Sequence, residues 1–309
     1  MAHLTIIIPH YNTPDYLRKL LDTIPASDSI QTIVIDDKSD AELETYKALK
    51  QDEAYRRVTF LANTTDKKGA GVCRNIGLEN AKGTWVLFAD ADDFFMGGFY
   101  NKVEAFFSGK NDVVFFMPTS QYLETGEDAP RTNPYRKITR DYLNKSNRTN
   151  ELRLRYAFHV PWSKLYSADF IKKNHIFFDE TIVGNDVMFS AKTGHHMAAF
   201  DVSADTIYCV TEHSHSLTKK RSAKNYDMRL DVFLEWHNFV KEHLSKDDFR
   251  RLAPSGVGLL YSSFVYKLGF KKTMAVIRKM KRHQVKLFRV KKDFSHVKPF
   301  LFKSGTHTI

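Results

Sequence analysis

From Leu4 onward, short apolar runs alternate with longer stretches in which apolar positions recur every three or four residues. The runs at 4–8 (LTIII), 32–35 (TIVI), 58–61 (VTFL), 84–88 (TWVLF), 112–116 (DVVFF) and 206–210 (TIYCV) have strand length and lack a consistently polar face. Such strands must be covered on both sides, as they are in a parallel sheet lying between helices. The stretches between them read as helices. PDYLRKLLDTI opens with Pro14 at a first turn, AELETYKALKQ keeps a helical period, and GVCRNIGLENA ends before Gly83. The pattern predicts an α/β fold with a largely parallel sheet.

After Met117 the rhythm breaks. Residues 118–158 are polar, rich in Asn, Thr and Arg, and read as loops and short helices over one sheet edge. Patterned segments return at 160–180 and 185–194, and from about Asn225 the chain reads as helices interrupted at Pro254 and Pro299. No internal repeat is present.

Charge divides the chain in two. Of 47 Lys+Arg and 36 Asp+Glu, residues 217–309 hold 22 and 7, so the overall +11 is a −4 front part followed by a +15 tail. An acidic-leaning body with a basic tail fits chemistry in front and attachment to something anionic behind. No run of apolar residues reaches membrane-spanning length and the N-terminus has no signal-peptide pattern, so the expected place is the cytoplasm. Cys73 and Cys209 have no partners at zinc-ligand spacing and read as free thiols.

In open parallel sheets, ligands bind beyond the carboxyl ends of the strands. PHYN (Pro9 to Asn12) follows the first strand, DDKSD (Asp36 to Asp40) the second, and DADD (Asp90 to Asp93) the fourth. Singly, each acidic group reads as a turn or a helix cap. Two such groups on one rim are harder to explain that way. Carboxylates crowded at a strand end repel unless a cation lies among them, and an Asp-x-Asp pair offers hard oxygens to Mg²⁺ or Mn²⁺ while leaving positions for phosphate. The segment KKGAGVCRN (Lys67 to Asn75) adds two lysines, glycines that permit close backbone approach, and an arginine on a helix's opening turn.

Taken in order, TIIIPHYN, IVIDDKSD, GAGVCRNIGLENAKGTWVLFADADD, PWSKLYSADFI and GNDVMF resemble the glycosyltransferase family 2 pattern on a GT-A fold, over roughly residues 3–217. The resemblance implies a GT-A type mixed, mainly parallel sheet flanked by helices, with a basic helical C-terminal extension. It implies metal-dependent, inverting transfer of a sugar from a nucleotide donor, usually a UDP-sugar, to an acceptor hydroxyl. It places Pro9, Tyr11 and Asp37 around the nucleoside, Asp90 towards its ribose, and Lys67, Gly69, Arg74 and Ala91 along the nucleotide. Asp92 and His213 are the expected metal contacts. Asp186 is the expected catalytic base, in a position where Asn185 replaces the family's usual Glu. Trp162, Lys164 and Asn185 are expected on the acceptor side, and Asp93 either there or supporting the acid loop. The alternatives are that Asp186 merely caps a helix, that Trp162 packs in the core, and that His213 lies in a polar loop. The Gln-x-x-Arg-Trp signature of processive synthases is missing, which implies non-processive addition.

The expected organisation is a catalytic domain over 1–217 and a helical, basic region over 218–309. Residues 264–303 hold 13 Lys+Arg against one acid, with apolar residues at roughly helical spacing. That stripe is either a solvated helical face or a surface resting on anionic inner-leaflet lipid, near a glycan or lipid-linked acceptor of surface-polysaccharide or capsule synthesis. Two other readings compete: a sugar-phosphate nucleotidyltransferase on a similar sheet, and a non-enzymatic basic binding module. Binding to nucleic acid is disfavoured by the acidic front and by the absence of a recognised motif.

Overall fold

The computed structural model describes residues 2–212 and 222–287. Its first part alternates strand and helix: β1 (Leu4–His10), α1 (Pro14–Asp22), β2 (Ile30–Asp36), α2 (Leu43–Gln51), β3 (Val58–Ala62), α3 (Ala70–Glu79) and β4 (Trp85–Phe88). Then follow β5 (Phe94–Phe95), α4 (Phe99–Glu104), β6 (Val113–Phe115), β7 (Thr119–Tyr122), α5 (Asn133–Asn144), α6 (Arg148–Ala157), β8 (Lys164–Ser167), α7 (Ala168–Lys173), α8 (Val187–His196), β9 (Phe200–Val202) and β10 (Tyr208–Glu212). Four helices close the described chain: α9 (Ala223–His243), α10 (Lys246–Leu252), α11 (Val257–Val265) and α12 (Gly269–Arg282).

Among the described residues the main sheet has seven strands in the order β3-β2-β1-β4-β8-β6-β9. Its pairings are parallel except those of β8, which runs antiparallel to both β4 and β6. This is the mixed, mainly parallel sheet flanked by helices that the sequence predicts. A second sheet, β5-β10-β7, stands beside the end of β4. Leu4, Ile6, Ile7 and Ile8 are wholly buried, as expected of a central strand covered on both faces.

The stretch 118–158 holds more regular structure than its polarity predicts. It contains β7, α5 and α6, and α6 buries Leu152, Leu154 and Tyr156 while its charged residues form ion pairs outside. A narrow apolar stripe among many charges hides helical period. Pro254 falls between α10 and α11, where it was expected to break the helical run, and Pro299 lies outside the described residues.

The C-terminal helices do not stand apart. Leu152 and Tyr156 of α6 and Val187, Met188 and Ala191 of α8 share a second core with Tyr226, Leu230, Phe233 and Trp236 of α9 and with Val276 and Met280 of α12. The Trp236 Nε1–H also donates to the Tyr156 carbonyl at 3.0 Å. The helix that starts at Asp186 is thus backed by the C-terminal region.

Candidate active site

The carboxyl ends of β1, β2 and β4 lie side by side, since His10 pairs in register with Asp36 and Ile7 with Phe88. Residues just past these ends therefore share one rim. Buried His10 lies 2.9 Å from Asp36 Oδ1 through Nδ1, and its Nε2 accepts from the Thr13 N–H at 3.2 Å. The second bond makes Nδ1 the protonated nitrogen of a neutral ring, and burial holds its pKa below the usual histidine value against the pull of Asp36. Asp36 also accepts from the Ser39 hydroxyl at 2.6 Å and its N–H at 3.1 Å, so it holds the turn. Pro9 is partly buried within β1, while Tyr11, 44% exposed, donates to Asp40 and lies under the Lys68 ammonium.

Asp37 is buried. Its Oδ1 accepts from Asn63 Nδ2 at 2.7 Å and its Oδ2 from the Gly69 N–H at 2.8 Å. The carboxylate thereby anchors the segment leading into α3, where Gly69 holds φ at +132°, a region that favours glycine. Lys67, expected to answer phosphate charge, is paired with Glu180 at 2.6 Å.

Arg74 connects the two halves of the site. It is 5% exposed and lies over the Phe178 ring. Its Nη2 donates to Asp90 Oδ1 at 2.5 Å and its Nη1 to Asn185 Oδ1 at 2.9 Å. The approach of α3 to the segment before α8 depends on Gly71, where a Cβ would stand 2.2 Å from the Asp179 carbonyl oxygen.

The crowded carboxylates of DADD are resolved by division of contacts. Asp90 pairs with Arg74, Asp92 is exposed at the surface, and Asp93 is buried. Asp93 accepts from the Tyr208 hydroxyl at 2.7 Å and the Thr211 N–H at 2.8 Å. Burial, then the neighbouring charges of Asp92 and Asp90, push its pKa well above the carboxylate range. The Asp90 N–H donates to the same Tyr208 hydroxyl, and the Thr211 hydroxyl donates to the Asp92 carbonyl, so β10 holds the whole loop around Ala91.

Asp186 occupies the N-cap position of α8, yet its side chain makes no capping hydrogen bond. The capping alternative therefore does not account for it. Burial raises its pKa, against the opposing charges of Arg74 and Lys164. A carboxylate whose basicity is raised in this way, beside an arginine that reaches the acid loop, is a stronger proton acceptor than a free one.

Three residues offered for the acceptor side lie inside, which for Asp93 and Trp162 agrees with their other readings, support of the acid loop and core packing. Asp93, Trp162 and Lys164 are 4%, 3% and 2% exposed. Trp162 packs among Tyr135, Phe158 and Tyr208, the core role offered as its alternative. Lys164 donates to the Phe158 carbonyl at 2.6 Å and lies over two phenyl rings, and burial lowers its pKa to about 7. Asn185 is buried too, with Arg74 as its partner. His213 lies outside the described residues.

Sequence reasoning passed over Asn63, Tyr208, Thr211 and Arg131. Nothing in a strand pattern marks Asn63, just past β3, or the hydroxyls of β10. Arg131 was hidden in the polar stretch, but it lies within electrostatic reach of Asp93, Asp90 and Asp92.

Comparison with known proteins adds the following. The family model described as Glycosyl transferase family 2 matches residues 5–174. The poly(ribitol-phosphate) beta-N-acetylglucosaminyltransferase TarS of Staphylococcus aureus (strain MW2) is 24% identical over 67% of this chain and 35% of its own length. The chain thus spans about a third of that relative. The crystal structure of S. aureus TarS 1-349 in complex with UDP-GlcNAc superposes with a TM-score of 0.67 at 19% identity, covering 92% of this chain and 80% of that one. The mannosyltransferase PcManGT from Pyrobaculum calidifontis, in complex with GDP-Man and Mn²⁺, gives a TM-score of 0.54 at 14% identity over 91% and 75% of the two chains.

Proposed function

The chain belongs to glycosyltransferase family 2 and is a glycosyltransferase, and from that premise we propose that it transfers a sugar from a UDP-sugar to a hydroxyl of a glycan or lipid-linked acceptor, with inversion and without processivity. The observation that carries this reading is the Arg74 bridge, which ties the acid loop at Asp90 to the helix start at Asp186 through Asn185. Nucleotide contacts and a proton acceptor are thereby held in one rigid unit. Both solved neighbours were captured with nucleotide sugars, UDP-GlcNAc in one and GDP-Man in the other, which supports the donor class.

In the proposed reaction the nucleoside lies at the rim formed by Pro9, Tyr11 and Asp37. The acceptor oxygen attacks the anomeric carbon as the bond to the diphosphate oxygen breaks. Asp186 takes the acceptor's proton, and the bonding electrons leave with UDP. A single displacement inverts the anomeric carbon. The residues fit a divalent cation, Mn²⁺ or Mg²⁺, in one manner. Among the described residues no three His, Cys, Asp or Glu side chains are grouped to hold an ion; Asp92, exposed at the end of the acid loop, would hold it together with phosphate oxygens. Bound there, the cation supplies charge neutralisation to the departing diphosphate. The test is product analysis by NMR: a β-linked product from an α-linked UDP-sugar supports inversion, and retained configuration refutes it.

We also propose that the basic C-terminal region rests on an anionic membrane surface at the cytoplasmic face, near a lipid-linked acceptor of surface-polysaccharide synthesis. No helix among the described residues is long and apolar enough to cross a membrane. Lys272 pairs with Asp227 at 2.6 Å and Lys279 pairs with Asp231, which fastens α12 to α9. Around the turn between α11 and α12, Tyr261, Phe264 and Phe270 are 53%, 66% and 80% exposed, with Lys267 and Lys271 beside them. Exposed aromatics among lysines suit the headgroup region of a bilayer. Co-sedimentation with phosphatidylglycerol vesicles that weakens with salt, and is reduced by Phe264→Ser with Phe270→Ser, is expected; equal binding to neutral vesicles contradicts the proposal.

A further inference from the structure

Arg131 is a cation within electrostatic reach of the acid loop and has no hydrogen-bond or ion-pair partner among the described residues. It belongs to a short turn (Pro130–Thr132) that leads into α5. That turn is fixed from beneath by buried hydroxyls. Ser120 of β7 donates to the Ala129 carbonyl at 2.6 Å, shares a hydrogen bond with the Thr132 hydroxyl at 2.9 Å, and accepts from the Thr132 N–H at 3.2 Å. Ser120, Ala129 and Thr132 are each no more than 1% exposed.

The same small sheet holds the other side. β7 runs beside β10, with Ser120 in register with Val210, and β10 carries the Tyr208 and Thr211 contacts that hold Asp93 and the loop of Asp92. The acid loop and the Arg131 turn are therefore mounted on one platform. Between them Arg131, exposed as a residue, makes no hydrogen bond or ion pair among the described residues and lies within electrostatic reach of Asp93, Asp90, Asp92 and Glu212. An arginine seeking only a structural role here would close onto one of those carboxylates, as Arg74 does with Asp90 at 2.5 Å. Arg131 instead leaves its donors without a protein acceptor among the described residues.

We propose that Arg131 binds the diphosphate of the donor, its fork of N–H donors taking phosphate oxygens on the side of the acid loop away from Arg74. The inference rests on the reading of this rim as a nucleotide-sugar site, and it assigns the leaving group a partner supplied by the chain itself. As UDP departs, the guanidinium would face the negative charge that the breaking bond places on the diphosphate.

The test compares UDP with uridine by calorimetric titration at fixed Mn²⁺, using wild type, Arg131→Lys and Arg131→Ala. Arg131 makes no hydrogen bond among the described residues, so all three should fold with similar melting temperatures without ligand. Expected is a loss of about tenfold or more in UDP affinity for Arg131→Ala, a smaller loss for Arg131→Lys, and no change for uridine. Unchanged UDP affinity overturns the proposal, as does a lowered melting temperature accompanied by an intact preference for UDP over uridine, which would mark a guanidinium that only balances loop charge. A wild-type protein that binds neither UDP nor GDP nor dTDP would overturn the nucleotide-sugar reading itself, and so is distinguishable from failure of the Arg131 assignment.

Discussion

At the scale of single residues, Arg74 is the most constrained side chain of the site. Two of its nitrogens are committed in different directions, to Asp90 and to Asn185. A lysine carries the charge but cannot span both acceptors in that fixed fork. Arg74→Lys should therefore lower kcat/KM by about a hundredfold while leaving the protein folded, as steady-state kinetics and circular dichroism would show. The buried histidines give a prediction in pH. His159 is pushed down to about 3 and His237 to about 4, both chiefly by burial. Values below the unfolded pKa of about 6.5 mean that the unfolded chain binds more protons, so stability is intact above that pH and falls as the pH drops toward the folded values. The slope approaches about 1.4 kcal/mol per pH unit for each such group. His159→Phe should flatten the loss seen by denaturant titration between about pH 6.5 and 4.5; identical slopes would contradict a buried neutral imidazole. Carboxyls with raised pKa, such as Asp179 at about 6, act in the opposite sense but are common to both proteins and cancel in the comparison.

At the scale of elements, the site depends on how closely α3 approaches the start of α8. Gly71→Ala would place a methyl 2.2 Å from the Asp179 oxygen and 2.9 Å from Asn185 Cβ. Backbone must then shift, and a cost of about 1–3 kcal/mol is expected for such overpacking, together with a loss of activity greater than the loss of folded protein. A melting temperature and turnover equal to wild type would show that this approach is not required. The same scale explains what the sequence made legible. β1 to β4 and α1 to α3 follow from two-faced apolar runs and from helical period, and the acidic strand ends followed from their positions. β5, β7, β8 and β9 have only two to four residues each, too few to establish a period. Burial of Asp93 and Lys164 was not legible either, because Asp93 is held by Tyr208 and Thr211 and Lys164 lies against Phe115 and Ser190, all far from them in sequence; for Trp162 the core was one of the two readings offered. Nor does any local pattern distinguish a carboxylate facing inward from one facing solvent two positions away.

At the scale of the whole molecule, the basic C-terminal region is part of what holds α8 in place, whatever it also touches outside. Met188 and Ala191 of α8 pack in one core with Phe233 and Trp236 of α9. Trp236→Ala removes a buried indole and its bond to the Tyr156 carbonyl, for an expected cost of about 3–5 kcal/mol. Because the affected helix begins at Asp186, activity should fall together with stability; a destabilised but fully active variant would show that α8 is held by the main sheet alone. The basic tail also acquires a structural role, since Lys272 and Lys279 fasten α12 to α9. The most direct test of the assigned chemistry is the nucleotide product released during turnover. Incubation with UDP-sugars, Mn²⁺ and a glycan acceptor, followed by chromatography, should yield UDP in step with glycosylated acceptor, and Asp186→Asn should abolish both while still binding UDP. Release of pyrophosphate in place of UDP, or undiminished transfer by Asp186→Asn, would contradict it.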